Sequence, residues 1–352
     1  MRILWLSPWL RPIARNNAES LQRLGAEVML VTADLHPEAD DARHYETVLL
    51  GRPVPTKDWI RIATAYRAAR RFKPDVVVTE LLRDPRWRIF GSLAPRVCIL
   101  HDDRPHDETL HPQWWLRSFY PWNARAAATV VFSNYVADSL HQMGATKSPI
   151  HVAPLVTDLH PSKVPEFVPA AERKDFVMVG LQSPYKNHGV VFEAWQAHTR
   201  GPAWRGDELV IFGEGTISEQ LPPHARWARR RFEYSEVVNE LASAKGSVVH
   251  SRSASQSGVQ VMSMQLGIPT IVSTAGALPE YQPAALPIIG IDDVEGLTHA
   301  FDSLADPSEV ARQSRIARDH FERNFDPAIA GERLLEIFTA VVQNDQRSSC
   351  RH

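Results

Sequence analysis

Between Ser247 and Ser273 the chain carries the residue types best suited to gripping an anion. Ser247-Val-Val-His250 has the β-branched enrichment of a buried strand, and Ser257-Gly258 opens an apolar segment after a small polar run. Gly267 and Pro269 end that segment ahead of a second strand, Thr270-Ile-Val-Ser273, so the spacing predicts a β-α-β unit. A Ser at the helix start caps backbone N–H groups, and the neighbouring Gly lacks the Cβ that would hold a ligand away from them. The positive end of the helix dipole adds to this, so the position suits a phosphate or diphosphate. The same two residues also make an ordinary cap in any α/β protein, because Ser-Gly is far less specific than a full phosphate-binding loop.

Other candidates sit at strand ends. The turn Leu181–His188 joins a strand, Asp175–Gly180, to an apolar helix over Val190–Trp195, and it puts Lys186 close to the helix start. A lysine there can neutralise a leaving phosphate; an ordinary surface lysine is the competing reading. His101-Asp102-Asp103 follows the strand Arg96–Leu100, and ligands of open α/β sheets collect beyond such carboxyl ends. His101 could orient a hydroxyl or carbonyl and Asp102 could accept a hydrogen bond from a sugar, or the loop is simply polar. His101, His106 and His111 are five apart, neither the i, i+4 face of a zinc helix nor a knuckle, so the run reads as a solvated acidic loop and no metal site is expected. Gly276–Glu280 is a loop ending in a lone carboxylate.

The elements that must position these residues follow from the whole chain. Its 352 residues suggest about two domains, and 44% hydrophobic content is enough for both to bury a core. With 39 Lys+Arg against 41 Asp+Glu there is no whole-protein basic field, and no nucleic-acid partner is expected. Two cysteines, Cys98 in a strand and Cys350 in the tail, argue against a disulfide framework and for a reducing, cytoplasmic setting. Pro8 interrupts the apolar start, which is expected to be the first strand rather than a signal segment. No run reaches the roughly 20 apolar residues that span a bilayer, so any membrane contact is expected to be peripheral, at the inner face.

Read in order, strand Arg2–Leu6, helix Ala14–Leu24 and strand Ala26–Thr32 open a doubly wound sheet. A basic amphipathic helix over Asp58–Phe72 and strands at Pro74–Thr79, Arg96–Leu100 and Thr129–Phe132 continue it. Trp114–Trp122 concentrates aromatics beside Arg117 and Arg125, a mixture suited to sugar stacking or a membrane interface but more often a buried helix flank. Prolines 154, 161, 165 and 169 mark a linker, after which α/β units resume with strands Glu208–Phe212 and Ala285–Ile289. The final helix, Ile329–Val342, has an apolar stripe (Leu334, Leu335, Ile337, Phe338, Val341), and Gln346–His352 reads as a frayed polar tail.

Taken together, the pieces resemble a glycosyltransferase of the GT-B fold, most closely the retaining group numbered family 4 (glycosyl transferases group 1). Val179-Gly180 with Tyr185-Lys186-Asn187 is similar to that group's "vGr…KG" turn, and Ile211–Gly215 to its "ivG.G" turn. Gly267–Ser273 through Leu278-Pro279-Glu280 resembles "G.PvvaS..gg.pE", and His101-Asp102 the "HD" that closes a first-domain strand. The resemblance implies an α/β protein of two Rossmann-like doubly wound domains facing a central cleft. Residues 1–165 would bind the acceptor, 166–325 the nucleotide-sugar, and 326–352 would cross back to the first domain. It implies a UDP- or GDP-linked donor held by Gly180, Lys186, Gly213, Gln256, Ser257, Gly258, Val259 and Glu280. His101, Asp102 and Lys186 would be catalytic, and Trp9 and Arg11 would touch a sugar, lipid-linked or small-molecule acceptor.

Transfer with retention, without cofactor or obligatory metal, would serve glycan (polysaccharide), glycolipid or natural-product synthesis; the oligomeric state is not indicated. The chain departs from the pattern at Leu181, where an arginine is usual, leaving Gln182 or Arg252 as substitutes. It departs again where the two glutamates of E-x7-E are absent: Ala254 and Met262, or Ser255 and Ser263, stand in their place. A degenerate carbohydrate-binding partner and a nucleotide-sugar epimerase are the alternative readings.

Overall fold

The computed structural model describes residues 1–34, 40–50, 57–82, 84–103, 122–230 and 234–349. The chain forms two compact units, Met1–Asp158 with Asp326–His352, and Leu159–Phe325. The division comes after Asp158, earlier than the expected 165/166 boundary. The reason is that Leu159 is buried with Val177, Val210 and Phe212 in the second unit, where its carbonyl accepts from Gln265 Nε2 at 3.1 Å.

The first unit is built on a seven-stranded sheet ordered β3-β2-β1-β4-β5-β6-β7 with every pairing parallel. Its strands are β1 (Arg2–Ser7), β2 (Glu27–Ala33), β3 (Glu46–Leu49), β4 (Val76–Glu80), β5 (Arg96–Ile99), β6 (Ala128–Val131) and β7 (Ile150–Val152). Parallel strands are covered on both faces, which is why β4 is a continuous Val-Val-Val run with all five residues buried. One face packs Leu4, Leu6, Val31 and Val77 against Ile62, Ala65 and Ala69 of α2 (Lys57–Phe72) and against Trp87 and Phe90. On α1 (Arg11–Arg23), Ser20 donates to the carbonyl of Pro327 at the start of the last helix, Pro327–Ser349. That helix also brings Phe338 edge-on to Trp5, centroids 6.3 Å apart. Gly331 allows the approach: a Cβ there would collide with Ser20 Oγ. The helix runs through Ser349, so the stretch from Gln346 expected to fray is helical.

The second unit repeats the plan with six parallel strands ordered β10-β9-β8-β11-β12-β13. They are β8 (Phe176–Val179), β9 (Leu209–Phe212), β10 (Ala225–Ala228), β11 (Gly246–Val249), β12 (Thr270–Ser273) and β13 (Ile288–Ile289). Phe176 and Met178 join the core formed with Trp195 and Phe301, while Val177 and Val179 point to the core formed with Val238, Leu241 and Leu266. That alternation is the period-two reading of a strand buried on both sides. Strands β3, β7 and β10 were not expected from the sequence; at four residues or fewer and with polar members, they carry no apolar run.

In each sheet the strand order reverses once, between β1 and β4 in the first unit and between β8 and β11 in the second. Such a switch point, at the carboxyl ends of the strands, is where doubly wound sheets take ligands.

Candidate functional sites

In the second unit, β8 ends at Val179 and Gly180 turns with φ +115°, a conformation only glycine adopts readily. Ser183 and Pro184 start a single turn of 3-10 helix over Pro184–Lys186, and Asn187, left-handed at φ 58°, closes it and leads into the helix His188–Arg200. The turn folds the lysine side chain back over the strand end. Lys186 Nζ donates to Val179 O at 3.2 Å and lies 5.5 Å from the Tyr185 ring centroid. Burial pushes its amine down from 10.5 to about 8, so the charge it carries below that pH is held at a desolvation cost that an anion would offset.

Two side chains fix this turn. Gln182 donates to Gly180 O at 2.8 Å and Phe212 O at 3.0 Å, and its Oε1 meets His188 Nε2 at 2.9 Å. Asn187 Nδ2 lies 2.7 Å from Ile291 O and 3.2 Å from His250 Nδ1. His250 stands just past β11, and its Nε2 donates to Gly290 O at 3.1 Å. Burial holds the His250 imidazole below its usual range, so it is neutral and its Nδ1 accepts from Asn187. The Arg252 N–H to Tyr185 O bond, at 2.7 Å, ties the two loops together.

The next loop places Ser257 as the cap of a helix over Gly258–Gln265, its hydroxyl accepting from Gln260 N at 3.1 Å. A Cβ on Gly258 would meet nothing within 4 Å. Open space at a helix start, rather than tight packing, is what an anion needs there. Gly213, Gly215 and Gly276 are different. A Cβ on them would strike the carbonyls of Gly180, Gln182 and Ala254, so these glycines let neighbouring loops touch backbone to backbone. Gly213 therefore shapes the site; it is the loop crossing and not a ligand that explains the glycine.

Gln256 and Val259 are partly buried beside this start, Ser255 is buried, and Glu280 is exposed on the short helix Leu278–Tyr281. The Gln182 side chain, offered as a substitute for the missing arginine, is held by the carbonyls of Gly180 and Phe212 and by His188. Arg252 is half exposed and pairs with Asp292 at 2.9 Å, and Leu181 is 57% exposed.

At the first unit's switch point, the sequence reading missed the central group. Glu80, the last residue of β4, is fully buried; it accepts from Trp5 Nε1 at 3.2 Å, and its other oxygen meets His101 Nε2 at 2.7 Å. A carboxylate closing an apolar strand was the available signal, but the expected strand stopped at Thr79. Phe132 packs on the imidazole with centroids 4.9 Å apart. Asp103 is buried and accepts from Ser139 Oγ at 2.6 Å, which pins the loop to the helix Asn134–Met143, while Asp102 is partly exposed. Ser7, ending β1, is buried with no partner for its hydroxyl among the described residues. Such a carboxylate–imidazole pair can orient a hydroxyl and hold its proton.

Trp9 is partly buried after β1. Arg11 is corrected: it is buried, with Nε on Glu46 Oε1 at 3.0 Å, and Arg15 grips the other oxygen at 2.6 Å. Burial raises the Glu46 carboxyl, but bonds from Arg11, Thr32, Arg15 and the Arg43 N–H together hold it below its ordinary range. Arg11 is thus a structural cation and not an acceptor contact. The stretches 104–111 and 114–121 lie outside the described residues; Trp122 stacks on Arg96, whose guanidinium is 3.6 Å from its ring centroid. Among the described residues, no three His, Cys, Asp or Glu gather as metal ligands, and no helix is long and apolar enough to cross a membrane.

With this geometry in place, residues 13–160 match the sequence model of Glycosyltransferase Family 4. No curated protein matches the chain. Among solved structures, sucrose-phosphate synthase from Thermosynechococcus elongatus is similar at TM-score 0.68 and 16% identity, covering 97% of this chain and 100% of that one. Anabaena HepE in complex with UDP and glucose is similar at TM-score 0.66 and 15% identity, over 97% and 100%. AviGT4, a glycosyltransferase involved in avilamycin A biosynthesis, is similar at TM-score 0.62 and 16% identity, over 98% of each chain. At these identities the structures speak for the fold, and the family match speaks for the first unit. Residues 13–160 thus match the Glycosyltransferase Family 4 model, and the two parallel-sheet Rossmann-like units share the fold of these glycosyltransferase structures.

Proposed function

We propose that the chain transfers a sugar, with retention, from a UDP- or GDP-linked donor to an acceptor hydroxyl in glycan, glycolipid or natural-product synthesis. The observation that carries this is the buried Lys186 amine at the second switch point, held at the strand end with its proton weakened to about 8. A diphosphate there stabilises the buried charge on the lysine, and the open helix start at Ser257-Gly258 supplies further N–H donors. Leaving-group stabilisation by these two elements needs no obligatory metal. That HepE is described with UDP and with UDP-glucose supports UDP as the first donor to try.

Glu80 and His101 act on the acceptor side: Glu80 orients the imidazole through Nε2, and Asp102 accepts from a sugar hydroxyl. A thermal-shift panel of UDP, GDP, ADP and their sugar conjugates tests the reading. Stabilisation by one nucleotide, abolished in Lys186→Ala, is expected; stabilisation by none would sink it. Leu181 and the Arg252–Asp292 pair favour one second reading, a binding partner without catalysis. Slow hydrolysis of the bound sugar nucleotide in the absence of acceptor separates an enzyme from such a partner.

A further inference from the structure

Helix α2 presents a basic face that also carries two exposed large apolar side chains. At about 100° per residue, Trp59, Ile60, Arg67, Arg70 and Arg71 fall within an arc of about 120°, away from the buried stripe of Ile62, Ala65 and Ala69. Trp59 is 51% exposed and Ile60 70% exposed, two large apolar side chains in water at one end of the helix. From Trp59 to Lys73 the sequence has no acidic residue. Arg61, Arg67, Arg70 and Arg71 are all exposed, and none forms an ion pair among the described residues.

The helix Pro307–Asn324 of the second unit shows what a merely solvated face looks like. There Arg312 pairs with Glu309, Arg318 with Glu322 and Arg323 with Asp319, so three of its four arginines are neutralised within a turn. Arg86 lies 5.5 Å from the Trp59 ring centroid and is itself paired with Asp84. With a formal charge of −2 on the whole chain, the positive charge of α2 is local.

We propose that this face docks the protein on an anionic lipid bilayer surface, with α2 parallel to the membrane. Arg67, Arg70 and Arg71 meet acidic headgroups, and Trp59 and Ile60 enter the headgroup boundary where amphipathic rings settle. The exposed apolar pair favours a bilayer over a nucleic acid, whose backbone would need the cations alone. The contact is peripheral, because α2 buries its own apolar stripe in the first unit's core.

Co-sedimentation of the full chain with phosphatidylcholine vesicles, with and without phosphatidylglycerol, tests this. Wild type is expected on the anionic vesicles and not on the neutral ones. Arg67→Glu/Arg70→Glu/Arg71→Glu should lower partitioning by at least about tenfold. Trp59→Ser/Ile60→Ser should lower it too and leave the remainder more sensitive to salt. Arg315→Glu/Arg323→Glu/Arg347→Glu, an equal charge change elsewhere, should bind as wild type does. If the α2 triple variant is misfolded by circular dichroism, single Arg67→Glu and Arg71→Glu carry the test. Retained binding in the α2 charge variants, an equal loss in the control, or no wild-type binding overturns the proposal. A wild-type preference for tRNA over anionic vesicles overturns it in favour of a nucleic acid.

Discussion

The two switch points occupy the same position in the same strand order, yet they carry opposite chemistry. The first holds a fully buried carboxylate against an imidazole, and the second a buried amine near an open helix start. A shared architecture therefore fixes where a ligand sits and leaves its charge to a handful of strand-end residues. A buried carboxylate suits holding a hydroxyl proton, and a buried amine suits meeting a phosphate.

Lys186→Ala breaks the comparison most sharply: turnover should fall by about 10² or more, with nucleotide stabilisation lost. Near-normal turnover would remove the lysine from the mechanism. The pH dependence is next. Because the Lys186 amine is depressed to about 8, it is protonated below that value and empties above it. Nucleotide affinity should be flat below about pH 7 and fall about tenfold per unit well above 8, read by isothermal titration. No such fall should occur in Lys186→Ala.

At the other switch point, Glu80→Gln should lower turnover about tenfold by weakening one charge-assisted bond to His101, while nucleotide stabilisation stays unchanged. Loss of nucleotide binding in that variant would erase the division between the two sites. The smallest effect sharpens the picture. Asn187→Gly keeps the left-handed backbone but removes the links to His250 and Ile291, and nucleotide affinity should drop about fivefold. Wild-type affinity would mean that the backbone conformation alone positions the lysine.

How far the sequence spoke depended on whether a residue's partners were local. Lys186 was legible because Ser183, Pro184 and Asn187, its immediate neighbours, make the turn that folds it back. Ser257 was legible for the same reason, since its bond goes to Gln260. Arg11 was misread because its partner is Glu46, on a four-residue strand with no apolar run, and an arginine in a proline-bearing loop otherwise reads as solvent-exposed. Glu80 was missed because its value comes from Trp5 and His101, which are brought to it by sheet order and not by spacing. Gln182 looked available for a phosphate until Phe212 and His188, on other elements, were seen to use it up. The parallel strands with apolar runs were plain, and the edge strands β3, β7 and β10, which have none, were not.

The return of the last helix to the first unit has a consequence for synthesis. The second unit is one unbroken segment, Leu159–Phe325, whereas the first is completed only by residues from Asp326 onward. During translation the half that leaves the ribosome first is therefore finished last, with Trp5 waiting for Phe338 until nearly the whole chain has been made.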